Sequence, residues 1–146
     1  MTHPARSHLL VVLQFSAIGL CVYPFADQRF GLLALLLGAA GIAAGIWTLW
    51  HNRPGNFSVY PEPMDDCRLI TSGPYRYVRH PMYLSLLLMM AGIALYNDHW
   101  LNALGFVLVL LAVLGKMDAE ERYLGSAFEE YASYSADTKR LLPFIY

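Results

Sequence analysis

The sequence predicts an all-α integral membrane protein, a bundle of about four transmembrane helices with its polar residues gathered at one end. Three observations predict it. Hydrophobic side chains make up 57% of the 146 residues and charged ones only 14%, against about 45–50% and about 25% in ordinary globular domains. The apolar residues gather into four blocks free of Asp, Glu, Lys and Arg: Leu9 to Phe25, Phe30 to Trp50, Met82 to Tyr96, and Trp100 to Gly115. Of the ten basic residues, only Arg29 falls in the short connections after the first and third blocks.

A hydrocarbon core about 30 Å thick takes roughly 20 helical residues. The second block supplies them and the first nearly does. Arg6 ahead of the first block gives it some likeness to a signal peptide, but the apolar run is long and no small-residue cleavage site follows. It is therefore assigned as a membrane helix over about 9–25, and the second over about 30–50. In the second, Gly41 and Gly45 form a small-xxx-small pair suited to close packing inside the bundle. The loop from His51 to His80 contains Pro54, Pro61, Pro63 and Pro74. Prolines at that density argue against a long helix and for an ordered cover.

Pro81 suits the first turn of a third helix, where its missing N–H costs nothing. The third and fourth blocks (helices over about 82–96 and 100–115) each give about 22 Å of helix. Separated only by Asn97-Asp98-His99, they read as a tight hairpin. Beyond them Met117, Glu120, Leu124, Phe128 and Tyr131 recur at three- and four-residue spacing, which predicts a C-terminal helix over about 116–134 leaving the membrane. The whole of 1–146 reads as one domain. Cys21 and Cys67 suggest no disulfide framework. The distribution of basic residues puts both termini and the middle loop in the cytoplasm, and a bacterial inner membrane is the expected location.

No ionisable side chain interrupts the four blocks, which argues against ion-coupled transport. The histidines and cysteines have no metal-cage spacing. A P-loop, a nucleophile elbow and a dinucleotide fingerprint are all missing, and no basic face suggests nucleic acid. Polar chemistry concentrates instead in Gly73-Pro74-Tyr75-Arg76-Tyr77-Val78-Arg79-His80-Pro81-Met82-Tyr83 and around Glu120-Glu121. Taken alone, Arg76 and Arg79 suit lipid phosphates, and Tyr75, Tyr77 and Tyr83 suit an interfacial aromatic belt. The two glutamates suit either a solvated surface or an inward position needing a partner.

Gly73-Pro74-Tyr75, then Arg79-His80-Pro81-Met82-Tyr83, a hydrophobic hairpin and Glu120-Glu121 together resemble the isoprenylcysteine carboxyl methyltransferase family, whose signature membrane phospholipid methyltransferases largely share. The resemblance covers about residues 66–146. It departs at Ser85, where relatives often have glycine, in Phe128-Glu129-Glu130-Tyr131, one glycine short, and at Asp137, where many have arginine. It implies S-adenosylmethionine-dependent methyl transfer, with a cytoplasmic loop and the C-terminal helix covering a cofactor pocket. Gly73, Tyr75, His80, Pro81, Tyr83, Glu120 and Glu121 would bind the cofactor; Arg79, Tyr131 and Arg140 would meet the substrate. No catalytic base and no metal are implied. The acceptor would be lipid-like or prenylated, with carboxylate O-methylation favoured over a phospholipid amine or small thiol. A non-catalytic membrane scaffold or lipid-binding protein is the alternative.

Overall fold

The structure, a computed structural model, describes residues 5–52, 58–62 and 68–146. Cys67, Pro54 and Pro63 lie outside the described residues. Within them the chain forms α1 (Ala5–Val22), α2 (Leu32–Asn52), a 3-10 turn (Gly73–Arg76), α3 (Pro81–Asn97), α4 (Trp100–Ala127) and α5 (Tyr131–Asp137). By length and composition α1, α2 and α4 can each cross a membrane, and α3 is a shorter apolar helix. The predicted all-α membrane bundle is therefore what the chain forms. Leu9, Val12, Phe15, Leu35, Ile42, Ile46, Val107 and Leu111 point outward from it, which suits a lipid surroundings rather than water. Cys21, Val109, Val113 and Met117 are fully buried between the helices.

α1 stops at Val22, just before Pro24, earlier than the apolar run suggested. A helix end leaves its last four carbonyls without partners, and in lipid each costs several kcal/mol. Side chains from the α3–α4 hairpin answer them. Asn102 Nδ2 donates to the carbonyls of Leu20, Cys21 and Tyr23 at 3.2, 2.8 and 2.8 Å. Asn97 Nδ2 donates to those of Cys21 and Val22 at 3.3 and 3.1 Å. At the same end an Arg29–Asp98 ion pair of 3.0 Å joins the two short connections.

The helices pair as α2 with α3 and α1 with α4. The expected glycine pair lies in the first of these contacts. A Cβ on Gly41 would come within 2.7 Å of the Met89 amide nitrogen and 2.9 Å of the Ser85 carbonyl oxygen. Ser85 Oγ donates to the Gly41 carbonyl at 2.7 Å, so the serine keeps the close approach and adds a bond across it. Interhelical bonds of this kind contribute about 0.6 kcal/mol. Ser85→Ala is accordingly expected to lower the melting temperature in detergent only slightly.

The helix expected over 116–134 is not a separate element and does not reach 134. α4 runs through Gly115 without a break to Ala127; Phe128 then turns extended (φ −128°, ψ 117°) and α5 folds back. Burial explains the turn. A straight helix would carry Phe128 and Tyr131 away from the bundle, whereas the fold-back buries Tyr131 and lets Tyr134 Oη donate to the Tyr75 carbonyl at 2.7 Å. Past α5 the chain runs parallel to the segment before α3, with a bridge between Val78 and Lys139. The amides of Arg79 and His80 donate to the carbonyls of Lys139 and Arg140 at 2.7 and 3.0 Å.

Candidate functional site

The site forms where three pieces of chain meet at the polar end of the bundle: residues 73–83, the last turns of α4, and the segment from α5 onward. Pro81 opens α3 as predicted, with His80 as the residue before it. His80 is only 3% exposed, and a buried imidazole needs partners for both ring nitrogens. Its Nε2 donates to Glu121 Oε1 at 3.1 Å, and its Nδ1 lies 3.7 Å from Glu120 Oε2. The adjacent glutamates thus approach one ring from different sides.

Glu121 collects cations. Its Oε1 also accepts from Arg79 Nε at 2.9 Å and Arg140 Nε at 3.2 Å. Glu121 lies more than a turn beyond Gly115, where the apolar stretch of α4 ends. Burial alone would raise its carboxyl, but the hydrogen bonds from His80 and Arg79 and the charge of Arg79 win, holding it at about 2. Arg79 NH1 also donates to the carbonyls of Ser135, at 2.9 Å, and Thr138. Arg140 donates to Asp118 Oδ1 at 2.6 Å and Tyr146 Oη at 2.8 Å. The two arginines expected at the substrate are therefore already engaged inside the protein.

Glu120 faces the other way, into a cleft of about 100 Å³ that Asn52, Tyr60, Pro61, Tyr75, Arg79 and Tyr131 help to line. The Tyr83 hydroxyl bonds to Glu120, and the Tyr75 hydroxyl pairs with Asn52. Among the described residues Tyr131 Oη, buried in the wall, has no hydrogen-bond partner. Burial, with the nearby glutamate charges, pushes the Tyr75 and Tyr131 phenols well up, and burial pushes Tyr134 up to about 12. All three stay protonated at neutral pH.

Of the predicted residues, then, Tyr75, Glu120, Arg79 and Tyr131 line the cleft. His80 and Tyr83 contact Glu120 from outside the cleft, with Pro81 beside them, and Glu121 and Arg140, together with Arg79 and Tyr131, line a second hollow. Gly73 is elsewhere. It has φ +60°, and a Cβ there would sit 2.6 Å from the His51 ring, which bonds to Ser72 Oγ at 3.0 Å. Its glycine serves the turn that carries Tyr75. Sequence reasoning missed Asn52 and Tyr134, which also line the cleft. Among the described residues no three His, Cys, Asp or Glu side chains group as metal ligands.

The chemistry of the lining fits one end of S-adenosylmethionine. A carboxylate suits its ammonium or ribose hydroxyls, aromatic rings suit its cationic sulfonium, and the Tyr131 hydroxyl can donate to or accept from a further polar group. The enclosed volume is that of part of such a molecule, since pockets burying a whole ligand run to about 300–1,000 Å³.

Comparison with known proteins agrees with the motif. The chain is 34% identical over 116 residues to the cobalt-zinc-cadmium resistance protein CzcN of Cupriavidus metallidurans, covering 76% of this chain and 50% of that one. It is 25% identical over 150 aligned positions to protein-S-isoprenylcysteine O-methyltransferase B of Arabidopsis thaliana, covering 98% of this chain and 75% of that one. The chain thus spans about half the length of the first relative and three quarters of the second. Residues 28–131, most of the bundle and the whole span from the glycine-proline-tyrosine turn to Tyr131, match the phospholipid methyltransferase family, and the chain belongs to that family.

Proposed function

We propose that the protein transfers a methyl group from S-adenosylmethionine to a lipid-like or prenylated acceptor at the cytoplasmic surface of a membrane, in bacteria the inner one. The observation that carries this reading is the Glu120 carboxylate, set in an aromatic cleft beside the buried Tyr131 hydroxyl, where a lipid-facing bundle meets its polar end. Family membership supports it.

When bound, the cofactor supplies an electrophilic methyl group on a sulfonium. The chain's part is to hold and align. Glu120 binds the cofactor's cationic or hydroxyl groups, Tyr75 and Tyr131 form the walls, and Tyr83 and His80 orient Glu120 from behind. The Glu121–Arg79–Arg140 cluster fixes the C-terminal segment that carries Tyr131.

The same groups bear on the acceptor. The three phenols remain protonated at neutral pH, and Glu121 is held as an anion by its cations. Neither offers a ready proton acceptor, and Glu120, the carboxylate that faces the cleft, is given to the cofactor in this reading. A carboxylate acceptor needs none, being ionised already, whereas a phospholipid ammonium must first lose a proton. Carboxyl methylation is therefore the favoured reaction.

The test is methyl transfer from radiolabelled cofactor into a membrane extract, followed by base treatment. Carboxyl methyl esters release volatile methanol, and N-methylated lipids do not. Label that survives base in the lipid fraction would move the assignment to an amine; no incorporation would count against the activity itself. Glu120→Gln is expected to weaken cofactor binding about tenfold by calorimetry, the loss of one charge-assisted hydrogen bond of about 1.5 kcal/mol.

A further inference from the structure

Lys116 is 2% exposed and lies one helical turn before Glu120 on α4. Lysines at the ends of membrane helices ordinarily run their ammonium out to water or lipid phosphate. This one turns inward and, among the described residues, meets no carboxylate at bonding distance. Its Nζ donates to Gln14 Oε1 on α1 at 2.7 Å and to the Val59 carbonyl at 2.7 Å. It also lies 5.7 Å from the centre of the Tyr83 ring, within cation–π range. A buried cation is costly unless well partnered, so this arrangement forces three other elements to converge on one atom.

Those elements are what the cleft requires. Val59 belongs to the segment Ser58–Glu62, whose Ser58, Tyr60, Pro61 and Glu62 line the cleft opposite Glu120. The same segment reaches α1 again where Ser7 Oγ donates to Glu62 and where the His8 and Tyr60 rings meet edge to face at 5.1 Å. Tyr83, beneath Lys116, is the residue whose hydroxyl bonds to Glu120. Lys116 itself does not line the cleft.

We propose that Lys116 is a positioning residue. It docks the Ser58–Glu62 wall against α1 and α4 and orients Tyr83, and through both it sets the affinity of the Glu120 cleft for its ligand. This rests on the proposed reading of that cleft as the S-adenosylmethionine site. It also gives α1 a task beyond spanning the membrane, because Ser7, His8 and Gln14 form the face that receives the wall.

Two readouts test it. The first is S-adenosylmethionine affinity by calorimetry for the wild type, Lys116→Met and Lys116→Arg, with thermal melting recorded beside it. The second is the rate at which a water-soluble maleimide labels Pro61→Cys in a Cys67→Ser background. Pro61 is fully buried, and so is Cys21, so labelling reports release of the wall. Lys116→Met is expected to lose at least tenfold in affinity, with melting shifted by only a few degrees, and to label at least tenfold faster. Lys116→Arg, which keeps the donors, is expected to recover most of both. Unchanged affinity and labelling in Lys116→Met would overturn the proposal. Should Lys116→Met fail to fold, Gln14→Leu takes its place: faster labelling supports the docking role and an unchanged rate overturns it. A wild type that binds no S-adenosylmethionine defeats the reading of the cleft instead, and the labelling rates still decide the role of Lys116.

Discussion

Glu121→Gln is expected to cost roughly 3 kcal/mol of stability, the loss seen when a buried ion cluster loses one partner, and to reduce methyl transfer by roughly a hundredfold, as small misplacements of aligned groups do. One oxygen of Glu121 accepts from Arg79, Arg140 and His80. A glutamine keeps the shape but removes the negative charge that the two guanidinium groups share, leaving Arg140 with Asp118. Those arginines also hold the carbonyls of Ser135 and Thr138 and the Asp118 carboxylate. Their displacement therefore loosens the α5 segment that carries Tyr131. The effect has a pH signature. The carboxyl is lowered from 4.5 to about 2 on folding, so its stabilisation is complete above pH 4.5 and is lost as pH falls toward 2. Thermal melting of wild type and Glu121→Gln in detergent should differ most at neutral pH and converge progressively below pH 4.5.

Gly105→Val is expected to leave no folded protein. A Cβ at Gly105 would lie 2.5 Å from the Cys21 amide nitrogen and 2.7 Å from its Cα. Both are backbone atoms of a helix that cannot slip, because the Asn97 and Asn102 side chains pin its last carbonyls. Forcing extra methyl groups into a packed core costs about 1–3 kcal/mol even where neighbours can move. Here the separation also strips those carbonyls of their donors in an apolar medium, at several kcal/mol each. Size-exclusion profiles of detergent-extracted protein should show aggregate for Gly105→Val. Gly19→Ala, on α1 with nothing within 4 Å of the added atom, should elute as the wild type.

The membrane helices were legible because their signal is collective: a charge-free run of about 20 residues has few other uses in a chain. The hairpin turn and the helix start at Pro81 were legible because proline and short polar connections act locally. The end of α4 was not. Met117, Glu120, Leu124, Phe128 and Tyr131 keep helical spacing across the break at Phe128, and only Tyr75 and the cleft, distant in sequence, make the fold-back worthwhile. For Glu120 and Glu121 the sequence marked the pair but not the division of labour. Neighbours on a helix point about 100° apart, so one had to leave the cleft, and the Arg79–Arg140 pair decides which. Lys116, Asn97 and Asn102 were passed over because a basic residue at a helix end and asparagines near a turn have ordinary local explanations.

The nested pairing of α2 with α3 inside α1 with α4 bears on how the protein is made. A ribosome adding about 5–20 residues per second finishes α1 roughly 4–15 seconds before Trp100 emerges. During that delay α2 acquires its neighbour almost as soon as α3 is synthesised, while α1 waits with bare carbonyls at one end and the uncovered Ser7, Gln14 face at the other. Those groups meet their partners only when the second hairpin arrives carrying both asparagines and the lysine. Biogenesis thus runs from the inner pair outward, and the cleft, needing residues on both sides of that wait, is the last part of the molecule to exist.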